Sequence, residues 1–415
     1  YLDDLIKIYN EKIKERLVEE DYSKDILSAI IELLFYIDNL DSIKSKLVEI
    51  CEPWVSAVVS TSQVITTVNT SKDSKPEIDT VLLLEQIAII KAIVSSSYKS
   101  IGNLSVPLSS NNNDNSAEEA KAFYSVLAEK RAILSSLFKE FWNSIKLLLQ
   151  STNHLIVESS IQLLKFFMRG MKADFNDYIQ EFLGIICKAY SFQPFSSYLY
   201  CFEVTLSVVA PNCDEKEFIL LKSILDELCK ITFGFYLKTP FNYENNPQLT
   251  EDIYGMLFRG MKLNPLVVLD SSWFESILTI SISNIDLKHP SSALNVVYFL
   301  EKVLNFKRNS IIKKLGSEVY NFYFSKVFEI IVKHGETLVY KILNYLQSTP
   351  LEMIMDHLVN LSTDVIIQFP NHSKEWFLNC LKLLPENCLT NKEKEKFMIA
   401  IGNVIEANMK GGYSE

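Results

Sequence analysis

The sequence predicts an all-α chain, an α-solenoid of HEAT-type antiparallel helix pairs. Three observations carry that prediction. Apolar residues recur at helical spacing along most of the 415 residues, and the 11 glycines and 12 prolines serve almost entirely as punctuation between apolar runs. The tetrapeptide Arg169-Gly170-Met171-Lys172 also returns as Arg259-Gly260-Met261-Lys262, an offset of 90 residues. That offset is twice the period of roughly 40–47 residues found in HEAT or armadillo helix pairs.

From the N-terminus onward, the first stretch is acidic, with Asp3, Asp4, Glu11, Glu15, Glu19, Glu20, Asp21 and Asp25. It suits a solvated helix face or a basic partner. Residues 60–78, rich in Ser and Thr, and 95–118, with the run Ser109 to Ser116, read as flexible insertions within one continuous solenoid over residues 1–415. Between them, Val81 to Val94 is a dense apolar helix that must be buried. In residues 120–150, Phe123, Leu127, Leu134, Phe138, Phe141, Ile145 and Leu148 form one stripe, while Glu129, Lys130, Lys139, Glu140 and Lys146 take the opposite face.

Residues 155–172 read as a second amphipathic helix. Ile156, Ser160, Leu163, Leu164, Phe167 and Met171 make its buried stripe, and Glu158, Gln162, Lys165, Arg169 and Lys172 make a polar ridge at spacings of three and four. Such a ridge is either a binding surface or an ordinary solvated face. Further on, Pro194, Pro211, Pro240, Pro247, Pro265, Pro290, Pro350, Pro370 and Pro385 sit between apolar runs, where a residue that cannot continue a helix belongs.

Composition narrows the function. No apolar run reads as long and uncharged enough to span a bilayer, so no membrane partner is expected. A net charge of −10 argues against direct nucleic-acid binding, which requires a basic stripe. The seven cysteines are scattered and odd in number, which suits reduced, buried thiols. No phosphate loop, HExxH helix, CxxC pair or nucleophile elbow is present, and the five histidines lie far apart. Glu251 and Asp252 read as first-turn acids after Thr250. The expectation is a chain that is not an enzyme, holds no metal and needs no cofactor, and that works by offering a long surface to partners.

Three stretches resemble the transportin-SR type of nuclear import receptor in the importin-beta superfamily. One runs from Pro247 to Leu304, through Arg259, Asn264-Pro265-Leu266-Val267-Val268-Leu269 and Asp286-Leu287-Lys288-His289. A second joins Phe141-Trp142 to Leu155-Ile156-Val157-Glu158 and Lys165-Phe166-Phe167-Met168-Arg169, and the third runs from Trp376-Phe377-Leu378 to Leu383-Leu384-Pro385. Weaker similarity extends back through Leu83 to Ala88 and Ala29 to Leu40.

The resemblance implies the C-terminal half of a karyopherin that shuttles between cytoplasm and nucleus. Its Ran-GTP grip would lie mainly in missing N-terminal repeats, and it would pass nucleoporin FG repeats on its way through the pore. The chain opens at Tyr1 without a methionine, and it reads as a fragment. In the family, an arginine-studded helix binds phosphorylated arginine-serine tails; those arginines fall here at Leu155, Ser159, Gln162, Lys165 and Arg169, of which only the last two are cationic. Together with Glu158 and Lys172 these side chains, Leu155 apart, are the candidate cargo-binding set.

Loss of the arginine forks favours a less phosphorylated cargo, a basic or Arg-rich (SR- or RGG-like) RNA-binding protein. Its arginines would meet acids such as Asp214, Glu215, Glu217 and Glu244. Two alternatives stand beside this reading: a bidirectional or export receptor of the same superfamily, and a static HEAT-repeat scaffold subunit.

Overall fold

Side chains at helical spacing and short Pro-marked connections fold this chain into helices laid side by side. The structure, a computed structural model, describes residues 2–14, 20–37, 39–70, 79–103, 115–348, 352–384 and 388–410, and among these there is no strand. Two compact units divide it, residues 1–193 and 194–415.

The first unit holds α1 (Leu2–Lys14), α2 (Glu20–Phe35), α3 (Leu40–Thr70), α4 (Thr80–Asn103), α5 (Asn115–Leu148), α6 (His154–Met171) and α7 (Asn176–Phe192). Helices α2, α4 and α6 pack in succession as one layer, while α3 packs on α5 in a second layer. Consecutive helices close the two layers on each other, α3 on α4 and α5 on α6. Short connections between packed neighbours make them antiparallel.

The second unit holds α8 (Ser196–Val209), α9 (Glu215–Ile231), α10 (Pro240–Asn245), α11 (Pro247–Leu263), α12 (Pro265–Leu269), α13 (Phe274–Ser283), α14 (Pro290–Leu304), α15 (Ser310–Leu315), α16 (Ser317–Gln347), α17 (Glu352–Gln368), α18 (Pro370–Leu383) and α19 (Asn391–Lys410). One layer runs α8, α11, α14, α17, α19; the other sets α9 on α12, and α13 on α16 and then α18. Each unit is thus two layers of helices in which α2, α4 and α6, α3 and α5, and α8, α11, α14 and α17 each meet the helix a repeat away, the arrangement of an α-solenoid.

Side-chain bonds between successive helices of this layer mark the period. Asn295 Nδ2 donates to the Glu251 carbonyl, 44 residues back, and Ser292 Oγ to the Pro247 carbonyl, 45 back. Asn309 Nδ2 reaches the Lys262 carbonyl 47 residues away. These separations match half of the 90-residue offset.

Proline explains where several of the helices begin. Pro240, Pro247, Pro265, Pro290 and Pro370 each occupy the first turn of their helix, where the missing N–H would have had no partner. Pro350 and Pro385 lie outside the described residues. Pro53 departs from the pattern, since it sits inside α3 and deletes one donor there.

Four readings of the sequence need correction. The polar tract at 60–78 is helical as far as Thr70, and that at 95–118 is helical to Asn103 and again from Asn115. Hydroxyls turned back onto the preceding turn let Ser and Thr stay in these helices: Thr61 Oγ1 donates to the Ala57 carbonyl and Ser97 Oγ to that of Ile93. Residues 71–78 and 104–114 lie outside the described residues.

Residues 80–102 are also long and apolar enough to cross a membrane by length and hydropathy, with half of the most apolar window buried. Packing on α2, α3, α5 and α6 accounts for that apolar character, since a helix touched on several sides is apolar nearly all round. Lys130 is not on a solvated face; it is buried, and its Nζ donates to the Phe35 carbonyl at 2.7 Å. An ammonium is favoured there because Phe35 ends α2, where carbonyls lack helical partners. Glu251 and Asp252, finally, are not first-turn acids, because Pro247 starts α11 a turn earlier than the sequence suggested.

Candidate functional site

Helix α6 carries the candidate ridge, and its start is fixed by Asn153, whose Oδ1 accepts the Leu155 N–H at 3.0 Å. Capping of this kind satisfies one of the donors left open at a helix start. The stripe expected from the sequence is buried in full: Ile156, Ser160, Leu163, Leu164, Phe167 and Met171, joined by Val157, Ile161, Met168 and Gly170. Ser160 is accommodated because its hydroxyl donates to the Ile156 carbonyl at 2.6 Å.

Gly170 shows how closely α5 and α6 approach. A Cβ placed there would lie 2.8 Å from Leu134 Cδ1. Beneath the helix, Phe138 gathers Trp142, Phe167, Phe175 and Tyr178 at ring-centre distances of 5.0–5.7 Å. Trp142 Nε1 and Lys146 Nζ both donate to Glu181, at 2.9 and 2.8 Å, and these two hydrogen bonds hold its carboxyl below the usual range. The aromatic base therefore ties α5, α6 and α7 into one rigid support for the ridge.

On the opposite side, Glu158 is exposed, and Ser159, Gln162, Lys165 and Arg169 are half-buried. These five side chains share one face, as their spacing requires. Lys165 Nζ stands 5.7 Å from the centre of the Phe166 ring, within cation–π range. Lys172 does not continue the ridge within the helix. It caps the C-terminus at φ 54°, with its N–H bonded to the Met168 carbonyl, and it is exposed beyond the last turn.

Two of the acids expected to face an arginine-rich cargo also serve the fold. Asp214 and Glu217 form a reciprocal capping box at the start of α9, with bonds of 2.8 and 3.0 Å. Glu244 lies 3.7 Å from Lys288. The acid three residues after Asp214 was the signal by which the capping box could have been read from the sequence.

Among the described residues, no group of three or more His, Cys, Asp and Glu side chains could hold a metal ion. His289 caps α14 through the Ser292 N–H, and His357 pairs with Glu301 at 3.0 Å. None of the seven cysteines is joined in a disulfide, and burial pushes the Cys51 thiol up to about 12. What remains chemically is a half-buried polar strip on a rigid helix, suited to recognition by charge and hydrogen bonding.

Comparison with known proteins bears on that strip. Residues 134–236 match the family model described as the Transportin-3/Importin-13 fourth TPR domain, a stretch that contains all of α6. A solved structure of importin-13 in its cytosolic state matches with a TM-score of 0.55 at 13% identity, covering 100% of this chain and 50% of that one. The chain therefore spans about half the length of the protein whose fold it shares. No curated protein sequence matches. Residues 134–236 are thus similar to one domain of the transportin-3/importin-13 family, where the sequence resemblance also falls, and the solved structure shows that the chain as a whole shares the helical fold.

Proposed function

We propose that this chain is the cargo-engaging part of a karyopherin, which carries a basic or Arg-rich RNA-binding protein into the nucleus and yields it when Ran-GTP binds. The observation that carries the reading is positional. The family-model match over residues 134–236 encloses the ridge of Glu158, Ser159, Gln162, Lys165 and Arg169, held half-buried on a helix braced from beneath by the Phe138 aromatic cluster.

A ridge with two cations and one exposed acid suits a mixed polar cargo surface better than a phosphate-rich tail. Ser159 and Gln162 offer neutral hydrogen bonds where a phosphate would call for always-charged forks. Release would follow from the solenoid itself. Each repeat touches only its neighbours, so small changes at many contacts alter the curvature, and two ligands that favour different curvatures exclude each other. On this reading the receptor shuttles between cytoplasm and nucleus through contacts with nucleoporin FG repeats, and its principal Ran grip lies in repeats outside this chain.

Binding of cargo from cell extract to the full-length receptor, with and without Ran-GTP, tests the proposal. Loss of an RNA-binding cargo on adding Ran-GTP is the expected result. A cargo that binds more tightly with Ran-GTP would make the receptor an exporter, because coupling between two ligands carries one sign in both directions. Indifference to Ran would leave a static scaffold.

A further inference from the structure

A second surface, in the unit of residues 194–415, has the opposite character from the acidic chain around it. From Lys302 to Ser317 the sequence contains Lys302, Lys307, Arg308, Lys313 and Lys314 and no acidic residue. Folding brings the first three of these, with Lys262 from the end of α11, around one cleft of about 740 Å³. The cleft lies at the C-terminal ends of α11 and α14 and is closed on its far side by α17 and Asn408 of α19. Its volume falls in the range of about 300–1,000 Å³ typical of ligand clefts.

Lys302 and Arg308 favour the charged form of Asp364, and Lys302 that of Glu301, but service to open carbonyls does not explain why four cations cluster here. Positive side chains at a helix C-terminus ordinarily serve its open carbonyls. Amides already do that here: Asn309 Nδ2 donates to the Lys262 carbonyl at 2.8 Å, Asn305 Nδ2 to that of Glu301 at 3.1 Å, and Gln368 Nε2 to that of Leu304 at 2.8 Å. Among the described residues none of Lys262, Lys302, Lys307 and Arg308 forms an ion pair. Lys302 and Lys307 lie against the rings of Phe258 and Tyr320, with Nζ at 6.0 and 5.6 Å from the ring centres, and Lys262, Lys307 and Arg308 are exposed. Four positive charges thus share one concave surface whose neighbouring carbonyls are satisfied.

The wall of the cleft limits the anion it can take. Glu301 and Asp364 both line it; Glu301 pairs with His357, and Asn305 Nδ2 donates to Asp364. Two carboxylates at the wall oppose a dense dianion or a polyphosphate chain, while spaced single charges can reach the cations at the rim. Three of the four cations are lysines, point charges without the planar fork that favours bidentate phosphate binding.

We propose that this cleft is a docking site for an Asp/Glu-rich segment of a protein partner, separate from the basic cargo assigned to the α6 ridge and independent of that assignment. Like charges elsewhere on the chain would guide such a segment toward this basic cleft.

The test uses the whole chain and a fluorescent peptide that alternates Asp or Glu with Gly. Parallel arms use the same peptide with phosphoserine at the acidic positions, its Lys-for-acid counterpart, and a single-stranded oligouridylate of equal charge. Binding of the acidic peptide is expected, weakening as salt rises. The double variant Lys307→Ala/Arg308→Ala should lose at least about tenfold in affinity while keeping the parent's melting temperature. Lys313→Ala/Lys314→Ala, in the same basic segment but outside the cleft lining, should change affinity less than about twofold. Asp364→Asn should strengthen binding.

Absence of binding by the folded chain would overturn the proposal, as would equal losses in the two double variants, which would mark a diffuse basic surface. Tighter binding of the phosphopeptide, or equal binding of the oligouridylate, would overturn the assignment to carboxylates.

Discussion

Helix α6 in the first unit and helix α11 in the second carry the same tetrapeptide, Arg-Gly-Met-Lys, at their C-terminal ends, yet their arginines meet different fates. Arg259 is held: its Nε and Nη2 both donate to Glu203 Oε1 on α8, at 3.1 and 3.0 Å. Arg169 forms no ion pair among the described residues. The two glycines, by contrast, play one part. A Cβ on Gly170 would stand 2.8 Å from Leu134 of α5, and one on Gly260 would stand 2.7 Å from Val268 of α12. The lesson is that the repeat preserves what close packing needs, a residue with no side chain where two helices touch, while the neighbouring arginine is held by an acid in one copy and is not in the other.

The firmest way to break this comparison is to remove Glu203. Glu203→Ala should cost about 2 kcal/mol, because it strands a half-buried guanidinium, with the figure kept low by the partial exposure of both side chains. Chemical denaturation of the variant checks it. A loss below about 0.5 kcal/mol would make Arg259 as unengaged as Arg169 and erase the contrast.

Substituting the glycines sharpens it next. Gly260→Ala meets Val268, a β-branched side chain with little freedom to turn away, and should cost about 1–2 kcal/mol net of the helix propensity gained. Gly170→Ala meets the far end of a leucine and should come out near zero. Equal costs in thermal unfolding would mean that the two contacts are equally stiff.

Helix α11 also carries a carboxyl that makes stability depend on pH. Burial raises the Asp252 carboxyl on α11 to about 6 against the hydrogen bonds from Ser196 and Gln248 that lower it, and Glu251 and Glu203 nearby push the same way as burial. A carboxyl that holds its proton more tightly folded than unfolded makes stability fall as pH rises from its ordinary value, about 4, to about 6, and leaves it level above that. Asp252→Asn should remove this slope and gain on the order of 1 kcal/mol at pH 7. Stability curves of parent and variant across pH 4–8 that stay parallel would refute it.

The smallest effect on stability belongs to the ridge. The double variant Lys165→Ala/Arg169→Ala should unfold within about 0.5 kcal/mol of the parent. Binding of an identified cargo should nevertheless fall, and a folded variant with cargo affinity intact would make the ridge an ordinary solvated face.

Helical periodicity, prolines set between apolar runs and the 90-residue offset were all legible in the sequence, because each reflects interactions between residues close in the chain or a repeated unit. The buried stripe of α6 was readable for the same reason, down to Ser160, since a helix fixes which residues share a face. Lys130 defeated the same logic. Its position relative to Leu127 and Leu134 does not reveal that the end of α2, with an unsatisfied Phe35 carbonyl, lies beside it.

What the sequence determined by itself, then, is the element order, the repeat period and the apolar faces, all set by local geometry and by the burial of apolar surface. Only the tertiary structure decided which polar side chains are engaged and which are available. Glu203 finds Arg259 across 56 residues, and Lys262 joins Lys302, Lys307 and Arg308 around a cleft closed by residues as distant as Asn408. Charge acts through space and not along the chain, so its partners are fixed only once the helices have stacked.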